Sequence, residues 1–348
     1  MKYYINGDKF GLTGRIDISE PDTPVLIWAG SYISFCFKGT GASLELENLQ
    51  GWGYNCIGFV VDGEERVIKT EKGRSLVTLC GGLADKPHEC YIYRANSGGC
   101  GYIKLHGLIL EDGAQLLDPP KKPKKRIEFY GDSVTAGEVV DADEFTGLAD
   151  PEGNIGQYDN SWHSYAMRVG RMLPAEVHNV SQGGIAILDG TGYFEMPKMI
   201  GMESCYDKLR YCSFDEKTPW SFSRFRPHVI IFAIGQNDHN PNPDCIYDKV
   251  NYRRKWEDRY ISMITKIRHY SPDAVIVLAL TVLNHDPAWD EAIAEIKDRM
   301  GGEKNGVYHL VYSRCGKATP GHPRNLEQQE MAKELTDFLN SLPKSTWR

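Results

Sequence analysis

Four short segments of the sequence carry groups that together could perform acyl transfer. Ser133 lies in the segment Gly-Asp-Ser-Val-Thr-Ala-Gly, which follows a short apolar run, and His322 lies in Thr-Pro-Gly-His-Pro. Between them, Gly184 ends the run Asn-Val-Ser-Gln-Gly-Gly, and Asn237 lies in Gly-Gln-Asn-Asp. A hydroxyl nucleophile, an imidazole base and N–H donors for an oxyanion are the groups that acyl transfer requires.

The segment around Ser133 has two interpretations. A Gly-Asp-Ser turn after a strand can present a nucleophilic hydroxyl, with the serine's own backbone N–H directed into the site. The same residues can also form an ordinary helix N-cap. The other three segments favour the nucleophile, because each follows a predicted strand and the carboxyl ends of parallel strands meet at one edge of a sheet.

The elements that must position these residues fall into two predicted domains. Residues 1–117 contain short apolar or alternating runs separated by Gly, Asp and Asn turns, which is typical of an all-β jelly roll or sandwich. The stretch 118–126 is rich in proline and lysine and is predicted to be a linker. Its basic residues also fit a polyanion-binding patch, although the prolines and the strand that follows favour the linker.

Residues 127–348 form the second predicted domain, in which apolar strands alternate with helical periodicity. Strands are predicted at 127–130, 176–180, 228–234, 275–280 and 307–312, and helices at 161–173, 252–269, 288–300 and 326–342. Strands separated by helices indicate a parallel sheet covered on both faces, a three-layer flavodoxin-like α/β fold. Two insertions leave carboxyl ends of strands: 138–159 is acidic, and 189–226 is rich in aromatic residues.

Composition limits the classes of partner and cofactor. With 41% hydrophobic and 25% charged residues, the chain can bury a substantial core, and its formal charge of −7 argues against nucleic-acid or membrane partners. Its nine cysteines form no C-x-x-C pair, and no two histidines have the i, i+4 spacing of a zinc helix. We therefore predict no metal and no cofactor. The N-terminus lacks the apolar core of a signal peptide, which predicts a cytoplasmic protein.

The four segments, in this order, resemble the motifs of the SGNH (GDSL-like) hydrolase superfamily. A β domain and a linker before the Gly-Asp-Ser segment resemble, more narrowly, carbohydrate esterase family 2, whose members join a jelly roll to an SGNH domain and remove O-acetyl groups from plant polysaccharides. The resemblance makes Ser133 the nucleophile and His322 the general base and then acid. It assigns the oxyanion hole to the backbone N–H groups of Ser133 and Gly184 and the side chain of Asn237, and it leaves Asp132 to hold the turn.

The sequence departs from the superfamily pattern three residues before His322. The superfamily usually has an aspartate there, but this chain has Thr319, which cannot stabilise an imidazolium by charge. We expect a Ser-His dyad, in which a carbonyl of Thr319 or Pro320 accepts the other ring N–H and fixes the tautomer. The open alternative is an acid from elsewhere in the chain, such as the 138–159 insertion.

Other ring-bearing side chains compete for roles at this site. His239, close after Asn237, is a rival base, but its predicted role is to line the pocket or to belong to a solvated loop. Trp162 is the aromatic residue predicted to contact sugar, because apolar pyranose faces pack on aromatic rings. The aromatic residues of 189–226 either stack on sugar or anchor their loop. Some family relatives have a tryptophan directly before the catalytic histidine; this chain has Gly321, so that stacking role does not carry over.

These observations predict a serine carbohydrate esterase that removes O-acetyl groups from plant-derived xylo- or manno-oligosaccharides through an acyl-enzyme. The acidic insertion favours a neutral sugar over phosphoesters or uronates. A lipase- or thioesterase-type hydrolase of short acyl esters would keep the same fold and site, although the sequence contains no long apolar acyl channel. A non-catalytic carbohydrate-binding protein is the alternative from a different functional class.

Overall fold

The computed structural model describes residues 1–348, and the N-terminal domain is entirely β. Its strands are β1 (Lys2–Tyr3), β2 (Gly11–Thr13), β3 (Ile16–Asp17), β4 (Val25–Leu26), β5 (Tyr32–Gly39), β6 (Ala42–Gln50), β7 (Cys56–Val61), β8 (Glu64–Lys69), β9 (Gly73–Cys80), β10 (Lys86–Arg94), β11 (Gly101–Leu110) and β12 (Gln115–Leu117). They form two six-stranded sheets, in the orders β3-β4-β11-β6-β9 and β12-β5-β10-β7-β8. In addition, β1 pairs with β11 and β2 with β5, and every pairing is antiparallel.

The two sheets share one apolar core. Along β6 the burial alternates, so that Leu44 and Leu46 face inward while Ser43, Glu45 and Glu47 are partly exposed. Phe35 and Ile92 of the other sheet belong to the same buried cluster. The predicted sandwich or jelly roll is confirmed.

The second domain is built on five parallel strands. They are β13 (Lys125–Gly131), β14 (Ala175–Ser181), β15 (Val229–Ala233), β16 (Val275–Ala279) and β17 (Val307–Leu310), in the order β14-β13-β15-β16-β17. The helices are α1 (Ser133–Ala136), α2 (Tyr165–Met172), α3 (Arg254–Tyr270), α4 (Ala288–Arg299) and α5 (Asn325–Ser341). One buried cluster includes residues of α3 and α4, and another includes residues of α2 and α5. The three-layer flavodoxin-like fold is confirmed.

Several boundaries differ from the predicted ones by one to four residues. Strand β13 begins at Lys125, inside the predicted linker, because Lys125 and Arg126 already pair with β14. The helix predicted from residue 161 begins at Tyr165, because Ser164 caps it by accepting the N–H of Met167. The preceding residues form a separate 3₁₀ turn capped by Asn160. None of the five helices combines the length and apolar character needed to cross a membrane.

A buried ion pair and a stacked aromatic pair join the two domains. Arg15 of the β domain donates to Glu128 at 3.0 Å and to the Tyr130 hydroxyl at 2.7 Å, and both partners belong to β13. Trp28 stacks on Tyr211 with the ring centroids 3.8 Å apart. Because a buried charge is tolerated only with good partners, these contacts fix the orientation of the domains.

His163 forms a further link between the domains, and its strength depends on pH. Its ring nitrogens lie 2.6 Å from Asp141 and 2.9 Å from Glu65 of β8. Burial alone would lower the pKa of His163, but hydrogen bonds to the two carboxylates outweigh burial and raise this pKa to about 9. The folded-state pKa lies above the unfolded value of about 6.5, so the stabilisation is complete below that pH and is lost as the pH rises through about 9.

We therefore expect His163→Gln to lower the free energy of unfolding by about 2–3 kcal/mol near pH 6 and by much less near pH 10. Urea denaturation at the two pH values measures both losses. The control is His269→Gln, because His269 is exposed and bonds no carboxylate. Equal losses for His163→Gln at the two pH values would contradict the ion-pair assignment.

Candidate active site

Ser133 begins α1, two residues after β13 ends at Gly131. Between them, Asp132 caps the helix: its Oδ1 accepts the Val134 N–H at 3.0 Å, and its other oxygen accepts an N–H of the Gln236 side chain. Burial raises the pKa of Asp132 to about 7. The cap is therefore Asp132, which holds the turn as the resemblance implied, and Ser133 is not needed for capping.

Two other strand ends bring the predicted oxyanion donors to the site. Gly184 has a left-handed backbone with φ of +70°, and a side chain there would lie 2.9 Å from Tyr193 Cβ. Asn237 donates one amide N–H to the Ile185 carbonyl at 3.0 Å, which fixes the side chain and leaves its second N–H available. Gly184 and Asn237 line the same cavity as Ser133, an arrangement that suits an oxyanion hole.

His322 is paired with a carboxylate, which corrects the predicted dyad. Its Nδ1 lies 2.6 Å from Asp150 Oδ2, and its backbone N–H donates to Asp150 Oδ1 at 3.0 Å. The Nδ1 partner is therefore not a carbonyl of Thr319 or Pro320. Asp150 belongs to the 138–159 insertion, the alternative source of an acid. Because Nδ1 donates its proton to Asp150, Nε2 is the nitrogen left to accept one.

The residues just before His322 make room for Asp150 and hold its segment. Any side chain at Gly321 would meet Asp150 Oδ1 at 2.5 Å, so the absence of a tryptophan there allows the carboxylate to approach. The Thr319 hydroxyl accepts the Gly147 N–H and lies 3.5 Å from the Leu148 carbonyl oxygen. Thr319 stands where the superfamily has its acid. It bonds the segment that supplies Asp150, the carboxylate that pairs with His322 in this chain.

The charges around His322 suit a general base. Burial alone would lower the pKa of His322, but the hydrogen bond and negative charge of Asp150 outweigh it and keep this pKa above its ordinary value. Burial alone would raise the pKa of Asp150, but hydrogen bonds from His322 and Arg324 keep it below its ordinary value. Arg324 is fully buried and donates to Asp150 Oδ1 at 2.8 Å. An ionised Asp150 can stabilise the imidazolium that forms when His322 takes a proton.

Both domains line the cavity, whose volume is about 870 Å³. The β domain contributes Trp52, Tyr54, Ser97 and Cys100. The second domain contributes Ser133, Glu138, Gly153, Asn154, Ile155, Gly156, Asp159, Gln182, Gly183, Gly184, Tyr193, Phe194, Glu195, Met196, Asn237, Leu283 and His322. Carboxyl groups are present and lysine and arginine are not, so the cavity favours a ligand without negative charge.

Two predicted substrate contacts lie outside the cavity. Trp162 packs at the domain interface, stacked on Tyr93 with the ring centroids 5.1 Å apart and with Arg171 over its face. His239 also does not line the cavity. Its Nδ1 bonds the Gln236 carbonyl at 2.6 Å, and its Nε2 lies 2.9 Å from the Tyr193 hydroxyl. Trp162 is therefore an interface residue, and His239 bonds a residue of the cavity wall without lining the cavity itself.

The aromatic residues of the 189–226 insertion mainly anchor that insertion. Tyr211, Trp220 and Phe222 are buried in a core cluster that extends from the sheet to the β domain. Tyr193 and Phe194 are the aromatic residues of this insertion that line the cavity, and Tyr193 is 45% exposed. Most of the insertion therefore positions the cavity wall, as one of the two interpretations predicted.

One group of possible metal ligands lies outside the cavity. Donor atoms of His285, Asp290 and Cys315 lie within 4.8 Å of one another. His285 already bonds the Leu283 carbonyl through Nδ1 at 2.6 Å and Asp290 through Nε2 at 2.9 Å. These bonds account for both ring nitrogens, and the cluster links the loop after β16 and the first turn of α4 to the loop after β17.

Family models match both parts of the chain. The model described as carbohydrate esterase 2 N-terminal matches residues 12–120. The model of the GDSL-like lipase/acylhydrolase family matches residues 129–316, more than half of the chain. The two matches meet in the stretch that joins the β domain to the parallel sheet.

Curated relatives and a solved structure align with nearly the whole chain. The cellulase/esterase CelE of Acetivibrio thermocellus is 27% identical over 334 residues, which cover 93% of this chain but 38% of CelE, so the chain spans little more than a third of that relative. An acetylxylan esterase/glucomannan deacetylase of Cellvibrio japonicus is 25% identical, covering 94% of this chain and 87% of the relative. The structure of a family two carbohydrate esterase from Clostridium thermocellum in complex with cellohexaose has 24% identity and a TM-score of 0.81, covering 97% of this chain and 100% of that one.

The sequence reasoning identified four strand-end segments and missed Asp150, Trp52 and Tyr54. The glycine at position 321 and the threonine at 319 were the available signals for Asp150, since both depart from the superfamily pattern beside His322. The motif order, the fold and the family matches agree. The chain belongs to the GDSL-like lipase/acylhydrolase family, in the carbohydrate esterase 2 arrangement of a β domain followed by the hydrolase domain.

Proposed function

We propose that this protein is a serine carbohydrate esterase that removes O-acetyl groups from xylo- or manno-oligosaccharides. The observation that carries the proposal is the cavity that brings Ser133, Gly184, Asn237 and His322 together, with Asp150 bonded to His322. The acetyl specificity is supported by the named activity of the Cellvibrio japonicus relative. The oligosaccharide is supported by the cellohexaose bound in the related structure.

In the proposed mechanism, Ser133 Oγ attacks the acetyl carbonyl carbon while His322 Nε2 takes its proton. The resulting oxyanion accepts hydrogen bonds from the backbone N–H groups of Ser133 and Gly184 and from the side-chain N–H of Asn237. The bond from the carbonyl carbon to the sugar oxygen then breaks, and the imidazolium gives its proton to that oxygen. Water, deprotonated by His322, then attacks the carbonyl carbon of the acetyl-Ser133 ester. The bond from that carbon to Ser133 Oγ breaks, the imidazolium returns its proton to Oγ, and acetate leaves. Asp150 holds the imidazole tautomer and stabilises the imidazolium in both half-reactions.

A lipase-like function is the second candidate, and the lining of the cavity disfavours it. Glu138, Asp159 and Gln182 lie along the cavity, where a long acyl chain would need continuous apolar surface. Burial and the charge of Glu138 raise the pKa of Asp159, which reflects the cost of placing carboxyl groups together there. Sugar hydroxyls can bond these groups, whereas an acyl chain cannot.

A series of p-nitrophenyl esters tests the proposed function. We expect acetate to be hydrolysed well, butyrate poorly and palmitate not at all, because Glu138, Asp159 and Gln182 interrupt the apolar surface that a longer chain would need. Acetate released from acetylated xylo- and manno-oligosaccharides then compares the two sugars. Efficient palmitate hydrolysis would favour a lipase, and absence of turnover on every acetate ester would favour a non-catalytic binding protein.

A further inference from the structure

The β domain contributes an exposed aromatic wall to the active-site cavity. Trp52 and Tyr54 lie in the turn between β6 and β7, and both line the cavity. Trp52 is 63% exposed, although tryptophan is highly buried on average. A large apolar side chain exposed beside a cavity commonly marks a ligand surface.

Contacts within the β domain hold this turn in place. The Gln50 side chain donates to the Gly53 carbonyl at 2.7 Å, and the Lys69 ammonium lies 4.0 Å from the centroid of the Tyr54 ring. Nearby in the β domain, the Asn96 side chain donates to the Asp159 carboxylate at 2.8 Å. Asp159 also lines the cavity, so the β domain is anchored directly to the wall that contains the site.

The remaining parts of the cavity indicate what the aromatic wall binds. Met196 and Tyr193, from the 189–226 insertion, are 62% and 45% exposed and line the same cavity. A volume of about 870 Å³ is near the upper end of ordinary ligand pockets, and an acetyl group would fill only a small part of it. The cavity therefore has enough apolar surface and space to hold a larger part of the substrate than the acetyl group alone.

We propose that Trp52, assisted by Tyr54, is a stacking platform for a sugar residue next to the acetylated one, so that the β domain forms part of the oligosaccharide site. This inference rests on the proposed function. It assigns a binding surface to the part of the substrate that the catalytic residues do not contact. The apolar face of a pyranose packs on an indole ring. Glu138 and Glu195 line the same cavity without a lysine or arginine, so the platform selects neutral sugars over those bearing uronic acids.

The test compares substrates of two lengths. The ratio of kcat/KM for acetylated xylotetraose to kcat/KM for acetylated xylose measures the contribution of the additional sugar residues. We expect Trp52→Ala to lower this ratio about 5- to 10-fold and Trp52→Phe to retain most of it, because phenylalanine keeps an aromatic face. An unchanged ratio in Trp52→Ala, or equal losses on the two substrates, would overturn the platform.

Tyr4→Ala is the matched control, since Tyr4 is an aromatic residue of the β domain that is 56% exposed and does not line the cavity. It should leave the ratio unchanged. Calorimetric titration with unacetylated xylotetraose separates the platform from the esterase activity. Weaker binding of xylotetraose by Trp52→Ala than by the wild type supports the platform. If the wild-type protein also hydrolyses no acetate ester, the proposed function fails but the platform stands. Equal binding by Trp52→Ala and wild type overturns the platform.

Discussion

Replacing Ser133 with alanine is expected to lower kcat on p-nitrophenyl acetate by about 10⁵- to 10⁶-fold, close to the uncatalysed rate. The change removes the only atom that forms the acyl-enzyme in the proposed mechanism and leaves the Asp132 cap of α1 in place. The fold should therefore persist, and circular dichroism with a thermal melt checks this. Steady-state hydrolysis and mass spectrometry after reaction with a fluorophosphonate measure the effect.

Ser181→Ala is a suitable control for the serine replacement. Ser181 ends the neighbouring strand β14, is buried, and bonds the Asn179 side chain at 2.7 Å without lining the cavity. The fluorophosphonate adduct should be found on Ser133 in the wild type and in Ser181→Ala, and should be absent from Ser133→Ala. Retention of more than about 1% of activity by Ser133→Ala would remove Ser133 from the role of nucleophile.

Replacing Asp150 with asparagine is expected to lower kcat by about 10²- to 10⁴-fold, because an amide cannot stabilise the His322 imidazolium by charge. The pH dependence provides a second readout. Asp150 keeps the pKa of His322 above its ordinary value, and His322 must be neutral to act as a base. Activity therefore rises with pH through the pKa of His322, and without the carboxylate this rise should move to lower pH.

Two controls separate this electrostatic effect from damage to the fold. Asp150 also neutralises the buried Arg324, so a thermal melt must show that Asp150→Asn is folded at the assay temperature. Glu152→Gln, an exposed neighbour in the same insertion, should retain wild-type activity and the wild-type pH profile. If Asp150→Asn lost less than a few-fold in kcat and its pH profile did not move, the Ser-His dyad would be the better description of the site.

The fold and most of the site follow from local patterns in the sequence. Ser133, Gly184, Asn237 and His322 each follow a strand whose apolar run is visible in the sequence, and the topology of a parallel sheet brings the strand ends together. Asp150 had no such pattern. It lies 172 positions from His322, in an irregular insertion with several other acidic residues, and tertiary packing alone selects one of them.

The sequence also did not show in which direction each aromatic side chain points. Trp162 begins a helical region, and the sequence could not specify whether its ring faces the cavity or the β domain. The structure places it against Tyr93, because the interface between the domains passes there. Trp52 lies in a turn of the β domain, so its proximity to the hydrolase site depends on the docking of two domains and not on any local motif.

The segment that supplies Asp150 has a consequence for how activity relates to folding. Most residues from 143 to 154 are exposed, and the segment is fastened mainly through Thr319, His322 and Arg324 and not by a core of its own. Such segments open at a small fraction of the free energy that unfolds the whole domain. We therefore expect this segment to open while the rest of the domain stays folded, which would separate His322 from its acid. Activity should then be lost at lower denaturant concentrations than the fold.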